Sequence, residues 1–497
     1  MLSRRHFTAG LLAGTALAGL SGCAVNPSTG QSSFTAFMSE EEELKIGRTE
    51  LPKLVAEFGG EYRDQRIASY VNSIGQSLAQ RTEKPNLPYT FTVLNSEIVN
   101  AFALPGGPVC ISRGLIALVS DEAELAGVLG HELGHINARH SAQRYSKAMA
   151  ANIGLGVASI GLAILGAGAL GSNVVEMAQY GAAAYLQSYS RENEFEADLL
   201  GVRYMTRVGY DPKAMVNFLD TLRNHSRLEA RMAGRPENSV DEYHMMSTHP
   251  RTIDRVQKAM EQAKVASPGE LRYGRDSYLD QVNGLLFGDD PEQGVLKNRR
   301  FTHPGLRFQF DLPPGFRASN TPRNIVGRHP EGVVFVFDGA KQRQGGDMRA
   351  YLAREWAPQA QLVGLEAIRI NTLEAATATT RAHTKNNQTI AIRLVAIRGD
   401  QGDVFRFMLM APQAKAGALD GDLRQMAYSF KRISPAEAAL VKPLRLIVTK
   451  VREGDTPQKL AASLPYEQFN ADWLRLLNDI EPGQTLPIGK PIKVVAG

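Results

Sequence analysis

The stretch LAGVLGHELGHINARHS, residues 125–141, places two histidines and a glutamate at a spacing that could do chemistry. His131 and His135 stand four apart, about 40° around a helix, so they project from one face and can share an ion. Glu132 lies close to that face, placed to reach a water beside the ion without binding the ion itself. Two neutral imidazoles would hold zinc while the carboxylate takes a proton from water, the division of labour of metal-assisted hydrolysis. Zinc still lacks a protein ligand. The metzincin pattern, with a further Gly and His, fails because those positions are Ala138 and Ser141. His140 is rotated roughly 140° from His135, so an unbroken helix keeps it off the same tetrahedron and makes it a surface or packing histidine. A second segment, SYSRENEFEADLLGVRYM, offers Glu192, Glu194, Glu196 and Asp198. Glu194 and Asp198 are four apart, so one could bind zinc while the other orients a ligand histidine through its second ring nitrogen. A solvated acidic face is the alternative.

The elements that must position these groups are legible in outline. SEEEELKIGRTELPKLVAEF reads as a helix opening at the cap-like Ser39, and YTFTVLN (89–95) alternates like a strand. NAFALPGGPVCISRGLIALV reads as a hairpin turning at Gly106 and Gly107. SDEAELAGVLGHELGHINARHSAQRY follows as one helix, with Asp121 and Glu124 fitting a capping box and Leu125, Val128, Leu129 and Ile136 as its apolar stripe. The uncharged segment 153–171 is Gly/Ala-rich, better read as a buried or membrane-grazing helical pair and candidate lid than as a span. Helices continue to about Gln262. GLRFQFDLPPGF, EGVVFVFDG, QTIAIRLVAIRGD and DVFRFMLMAP then read as strands, with DMRAYLAREW and LDGDLRQMAYSF as helices. That pattern is α+β. SPAEAALVKP reads as a linker into a last unit at 444–497.

Composition narrows the class. The 497 residues suffice for two to four domains. The net charge of +5 comes without Lys/Arg blocks or aromatic-basic interleaving, which speaks against nucleic acid as a partner. At the N-terminus Arg4 and Arg5 precede TAGLLAGTALAGL, a signal-like apolar run that stops at LSGC before a polar segment. SRRHF resembles a twin-arginine export signal and LSGC a lipobox, which would make Cys23 an acylated first mature residue. A simple secretory signal is the alternative. Two cysteines, Cys23 and Cys110, make no disulfide framework. Ala24, where an Asp would favour inner-membrane retention, points to the outer membrane.

HELGH followed by SRENEFEAD resembles the gluzincin zinc metallopeptidases of the CaaX prenyl endopeptidase and HtpX type. NAFALPGG resembles that family's edge strand, HINARH its extended first motif, and STHPRTIDR its His-Pro segment with a later Arg. The similarity covers roughly residues 40–264 and, given the signal, looks most like the periplasmic lipoprotein branch. It implies a mainly helical zincin-like domain with a small edge sheet, over residues 24–285 after the 1–23 signal. It implies one zinc held by His131, His135 and Glu194, with Asp198 orienting a ligand histidine and Glu132 as general base. His249, followed by Arg255 at the family's spacing, would lie at the zinc, either steadying an oxyanion or occupying the water's position. Asn100, Ala101 and Phe102 would bind substrate as an added strand. The implied activity is endoproteolysis of unfolded or misassembled envelope proteins at the periplasmic face of the outer membrane, through the lipid anchor at Cys23. The tetratricopeptide repeats common in that branch are not seen.

The last unit, 444–497, resembles a LysM module: Gly454-Asp455-Thr456, Leu460-Ala461, Leu477-Asn478 and a closing IGKPIKVV. That resemblance implies a βααβ fold and peptidoglycan as a further candidate partner; a purely structural cap is the alternative. For the α+β domain at 300–433 the sequence suggests no resemblance. Two rival functions stand beside the protease: a chaperone-like adaptor with a latent site, and a peptidoglycan endopeptidase.

Overall fold

The computed structural model describes residues 23–26, 30, 32–149, 189–236, 257–261, 270–383, 388–466, 468–481 and 483–497. The chain divides into two units: Met1–Arg227 with Asn238–Val282 and Leu476–Asp479, and Leu228–Glu237 with Asn283–Arg475 and Ile480–Gly497.

The first unit begins with two short antiparallel strands, β1 (Cys23–Val25) and β2 (Ser32–Phe34). Helix α1 (Glu40–Glu57) starts where its sequence says it should. The Ser39 hydroxyl accepts from the Glu42 amide, and the Glu42 carboxylate accepts from the Ser39 amide at 2.7 Å. Helix α2 (Gln65–Ala79), capped by Asp64, buries Ile67, Val71, Ile74 and Leu78 at three- and four-residue spacing. Strands β3 (Thr90–Leu94), β4 (Ala101–Ala103) and β5 (Pro108–Ser112) form one sheet in the order β3-β5-β4. β3 runs parallel to β5, and β4 is its antiparallel edge. The β4–β5 turn needs Gly106 and Gly107, whose φ values of 83° and 126° lie in the left-handed region.

Two expectations require correction here. The hairpin does not continue through RGLIAL; Arg113–Leu118 is a helix, α3, whose N-cap Ser112 accepts from the Leu115 amide. Nor does the active-site helix run unbroken. Helix α4 (Glu122–Asn137) ends at the cap Ala138, and Arg139 adopts φ 58°. The chain then resumes helically over 140–149, here α5. Helix α6 (Arg191–Arg207) follows, capped by Ser190. Helices α7 (Lys213–Met232) and α8 (Arg275–Val282) come later in the chain. Segment 153–171 lies outside the described residues, and no described helix is long and apolar enough to cross a membrane.

The second unit is dominated by a seven-stranded antiparallel sheet. Its strands in spatial order are Arg317–Asn320, Asn324–Arg328, Val334–Lys341, Asp403–Pro412, Thr389–Arg398, Leu373–His383 and Val363–Ile370. Phe308, Phe310, Phe335, Phe337, Phe405, Phe407 and Phe430 fill one core beside it. The expected linker holds a short helix, Pro435–Ala439, closed by a Ser434–Glu437 capping box. Residues 444–497 run strand, helix, helix, strand: Leu444–Lys450, Pro457–Leu460, Asn470–Asn478 and Pro491–Ala496. The two strands pair antiparallel, and Leu286–Phe287 pairs with the first.

Candidate metal centre

Every residue of α4 from Ala123 to Asn137 is buried, so the helix is a core element rather than an amphipathic surface one. Its N-terminus is pinned. Asp121 accepts from the Glu124 amide at 2.9 Å, while the Glu124 carboxylate reaches back one residue further than expected, to the Ser120 amide at 2.8 Å. Glu122 takes the hydroxyls of Tyr70 and Tyr210 at 2.8 and 2.5 Å. Burial first, and the Glu122 charge with it, push both phenols well above their ordinary pKa, so both remain donors.

Helix α6 approaches α4 through glycine. A Cβ on Gly134 would stand 2.8 Å from the Ala197 carbonyl oxygen and 2.9 Å from its Cα; one on Gly130 would stand 3.3 Å from the Gly201 Cα. With no side chains in the way, the α6 carboxylates reach the α4 histidines. His131 Nε2 and His135 Nε2 are 3.0 Å apart, and the Glu194 oxygens lie 3.5 and 3.4 Å from them. All three residues are buried, and they are the one His/Cys/Asp/Glu group able to hold a metal among the described residues. Two atoms each about 2.0–2.1 Å from a tetrahedral ion stand roughly 3.3–3.4 Å apart. The three separations bracket that value.

Proton positions point the same way. Asp198 Oδ1 lies 2.8 Å from His131 Nδ1, so that nitrogen donates and a neutral His131 aims a lone pair from Nε2 into the cluster. Lone pairs and a carboxylate converging in a water-poor interior are costly without a cation among them. The residues therefore fit a zinc ion. Glu132, one residue on from His131, is fully buried beside them.

The structure also brings in residues that sequence reasoning set aside. The elbow at Arg139 turns His140 back toward α4, where its Nδ1 lies 2.8 Å from His135 Nδ1. The other His140 nitrogen meets Glu196 at 3.0 Å. His140 is thus neither a surface histidine nor a ligand but a buried partner of one. Tyr189 stacks on His135 with ring centroids 4.1 Å apart, and its hydroxyl, held protonated chiefly by burial, meets Ser141. No sequence signal marked the elbow, because arginine is an unusual residue at positive φ. Glu196 lay in the acidic run, but about 200° round the helix from Glu194.

Asn100, Ala101 and Phe102 are all buried, and the Phe102 side chain packs with Leu54, Leu94, Leu104 and Cys110. Phe102 is therefore a core residue, and only the main chain of β4 sits at a sheet edge. The Asn100 Oδ1 atom is buried with no hydrogen-bond partner among the described residues. His249 and Arg255 lie outside the described residues, and so does the side chain of Cys23.

A helix bearing His-Glu-x-x-His, a second bearing Glu-x-x-x-Asp and a small mixed sheet beside them define a zincin-type arrangement. Residues 65–263 match the model of Peptidase family M48. The chain is similar to the "Beta-barrel assembly-enhancing protease" of Escherichia coli (strain K12), 30% identical over 234 residues, covering 45% of this chain and 44% of that protein. It is similar to the protein of the same name in Yersinia pestis, 30% identical over 258 residues, 51% of each. "Mitochondrial metalloendopeptidase OMA1" of Arabidopsis thaliana is 28% identical over 211 residues, 42% of this chain and 39% of that one. The chain spans about half the length of the curated relatives it matches, or less.

Proposed function

We propose that this chain is a zinc-dependent endopeptidase that cleaves unfolded or misassembled envelope proteins at the periplasmic face of the outer membrane. The observation that carries this reading is the convergence of His131, His135 and Glu194 within 4.8 Å of one another, with Glu132 buried on the same helix. Zinc bound there would supply a Lewis acid that polarises the scissile carbonyl and lowers the pKa of water. Glu132 takes the proton of the attacking water and passes it to the leaving amine. Asp198 holds the His131 ring in the tautomer that presents Nε2. A substrate strand laid along β4 would be bound through its main chain. Such binding selects exposed backbone over side-chain identity, which suits unfolded polypeptides.

The resemblance adds His249 as a second catalytic group, accompanied at the family's spacing by Arg255, and a lipid anchor at Cys23. The names of the similar proteins from Escherichia coli and Yersinia pestis favour β-barrel assembly as the setting. The strand-helix-helix-strand order of 444–497 favours a LysM-like contact with peptidoglycan as an accessory tether. Purified protein supplied with zinc should cleave a casein-like unfolded polypeptide and leave cross-linked peptidoglycan peptides intact. Release of peptides from peptidoglycan alone would move the assignment to a wall endopeptidase. Prevention of aggregation without any cleavage would move it to a chaperone-like adaptor.

A further inference from the structure

Four hydrogen-bonded side chains lead from the metal cluster to the N-terminal strands. His135 directs Nε2 at His131 and Glu194, and its Nδ1 faces His140 Nδ1 at 2.8 Å. A contact between two imidazole nitrogens needs one proton, carried by one of the rings. If His135 gives its Nε2 lone pair to a metal, its Nδ1 carries that proton and donates to His140. A neutral His140 then carries its own proton on Nε2 and donates it to Glu196 Oε2 at 3.0 Å. The other Glu196 oxygen accepts from the Asn26 amide, Nδ2 to Oε1, at 2.7 Å. Each link has one donor and one acceptor, so the chain fixes a single tautomer at every ring. Charge-assisted bonds of this length are the stronger kind.

Asn26 is 2% exposed and directly follows β1, and its carbonyl accepts from the Gly30 amide at 2.8 Å. The residues after it are laced to the same elbow. The Phe37 amide donates to Ser146 Oγ on α5 at 3.1 Å. Arg139, the residue at positive φ that creates the elbow, donates to the Met38 carbonyl and to the Glu43 carboxylate, both at 2.8 Å. The N-terminal segment thus grips both the elbow that presents His140 and the carboxylate that His140 uses.

We propose that Asn26, Glu196 and His140 are positioning residues for the ligand His135, so that the seating of the N-terminal segment sets how tightly the centre holds zinc. The inference rests on the zinc reading above and extends it to residues outside the two ligand motifs. It places the control three residues after Cys23, the residue expected to be acylated. A chain whose N-terminal segment is pulled off the elbow would then hold its metal more weakly than one whose segment is seated.

The test is zinc affinity of the purified full-length chain, by competition with a chromophoric chelator, together with the absorption bands of its cobalt-substituted form. His140→Ala should weaken zinc about ten- to a hundredfold, the usual cost of losing a group that orients a ligand. Glu196→Gln is isosteric but sets a donor against the Asn26 amide or against His140, and should weaken zinc too. Asn26→Ala should fall between Glu196→Gln and the unsubstituted chain, with altered cobalt bands. A packing role would leave the isosteric Glu196→Gln at full affinity. Equal affinities and identical cobalt bands across the four proteins overturn the inference while leaving the zinc reading intact. Absence of zinc binding in the unsubstituted chain overturns the zinc reading itself. Should Asn26→Ala melt lower as apoprotein, the cobalt bands of its folded form decide, and unchanged bands count against the proposal.

Discussion

His249 poses a residue-level question whose two answers differ in sign. As an oxyanion donor it would stabilise charge that develops only in the transition state, and His249→Ala should slow cleavage roughly a hundred- to a thousandfold. As an occupant of the water's position it would inhibit, and the same change should raise basal proteolysis. The initial rate of casein cleavage separates the two, and an unchanged rate removes His249 from the centre. The residues now placed together were unevenly legible. His131, Glu132 and His135 follow from helical periodicity alone, and Glu194 with Asp198 from a second i, i+4 pair plus the resemblance. His140 did not follow, because the angular argument that kept it off the tetrahedron assumed an unbroken helix, and Arg139 breaks it. The strand of Asn100, Ala101 and Phe102 was read as a main-chain binder, and a strand can offer its backbone at an edge while the Phe102 side chain fills the core.

Between elements, the close approach of α4 and α6 decides whether the ligands meet. The Gly134 position has backbone in its path, the Ala197 carbonyl oxygen and Cα within 2.9 Å of any added Cβ, and backbone cannot rotate aside. Gly134→Ala gains about 0.5–1 kcal/mol in helix propensity, but overpacking of this kind costs about 1–3 kcal/mol. The steric cost outweighs the propensity gain, so α6 must shift. Metal ligands tolerate only about 0.2 Å of displacement, so the centre suffers more than the fold. Gly134→Ala should unfold at a modestly lower temperature and lose most of its zinc affinity in chelator competition. Unchanged affinity would mean that the glycine contact does not set the ligand spacing. Capping chemistry made α1 and the start of α4 readable from Ser39 and Asp121. In the second unit the strand Leu373–His383 was missed because LEAATATTRAH alternates small and polar residues rather than bulky apolar ones. The phenylalanine-rich strand Asp403–Pro412, with its period of two, was plain.

Across the whole molecule, the segment that matches Peptidase family M48 was visible as ordered motifs, whereas the second unit offered only strand periodicity and a LysM resemblance over its last residues. Pairing among strands far apart in sequence, such as Val334–Lys341 with Asp403–Pro412, leaves no local signature, so the seven-stranded order was not readable. The proposed function rests on a division of labour among side chains: two imidazoles and one carboxylate would hold zinc, and a second carboxylate would move the proton. Zinc content and casein cleavage, measured together on the full-length chain and two variants, test that division most directly. The unsubstituted chain should hold one zinc and cleave. Glu194→Ala should lose most of its zinc and its activity together, because a ligand is gone. Glu132→Gln should keep its zinc and its melting temperature and yet not cleave, because only the base is gone. Near-normal cleavage by Glu132→Gln, or full zinc occupancy in Glu194→Ala, would contradict the assignment.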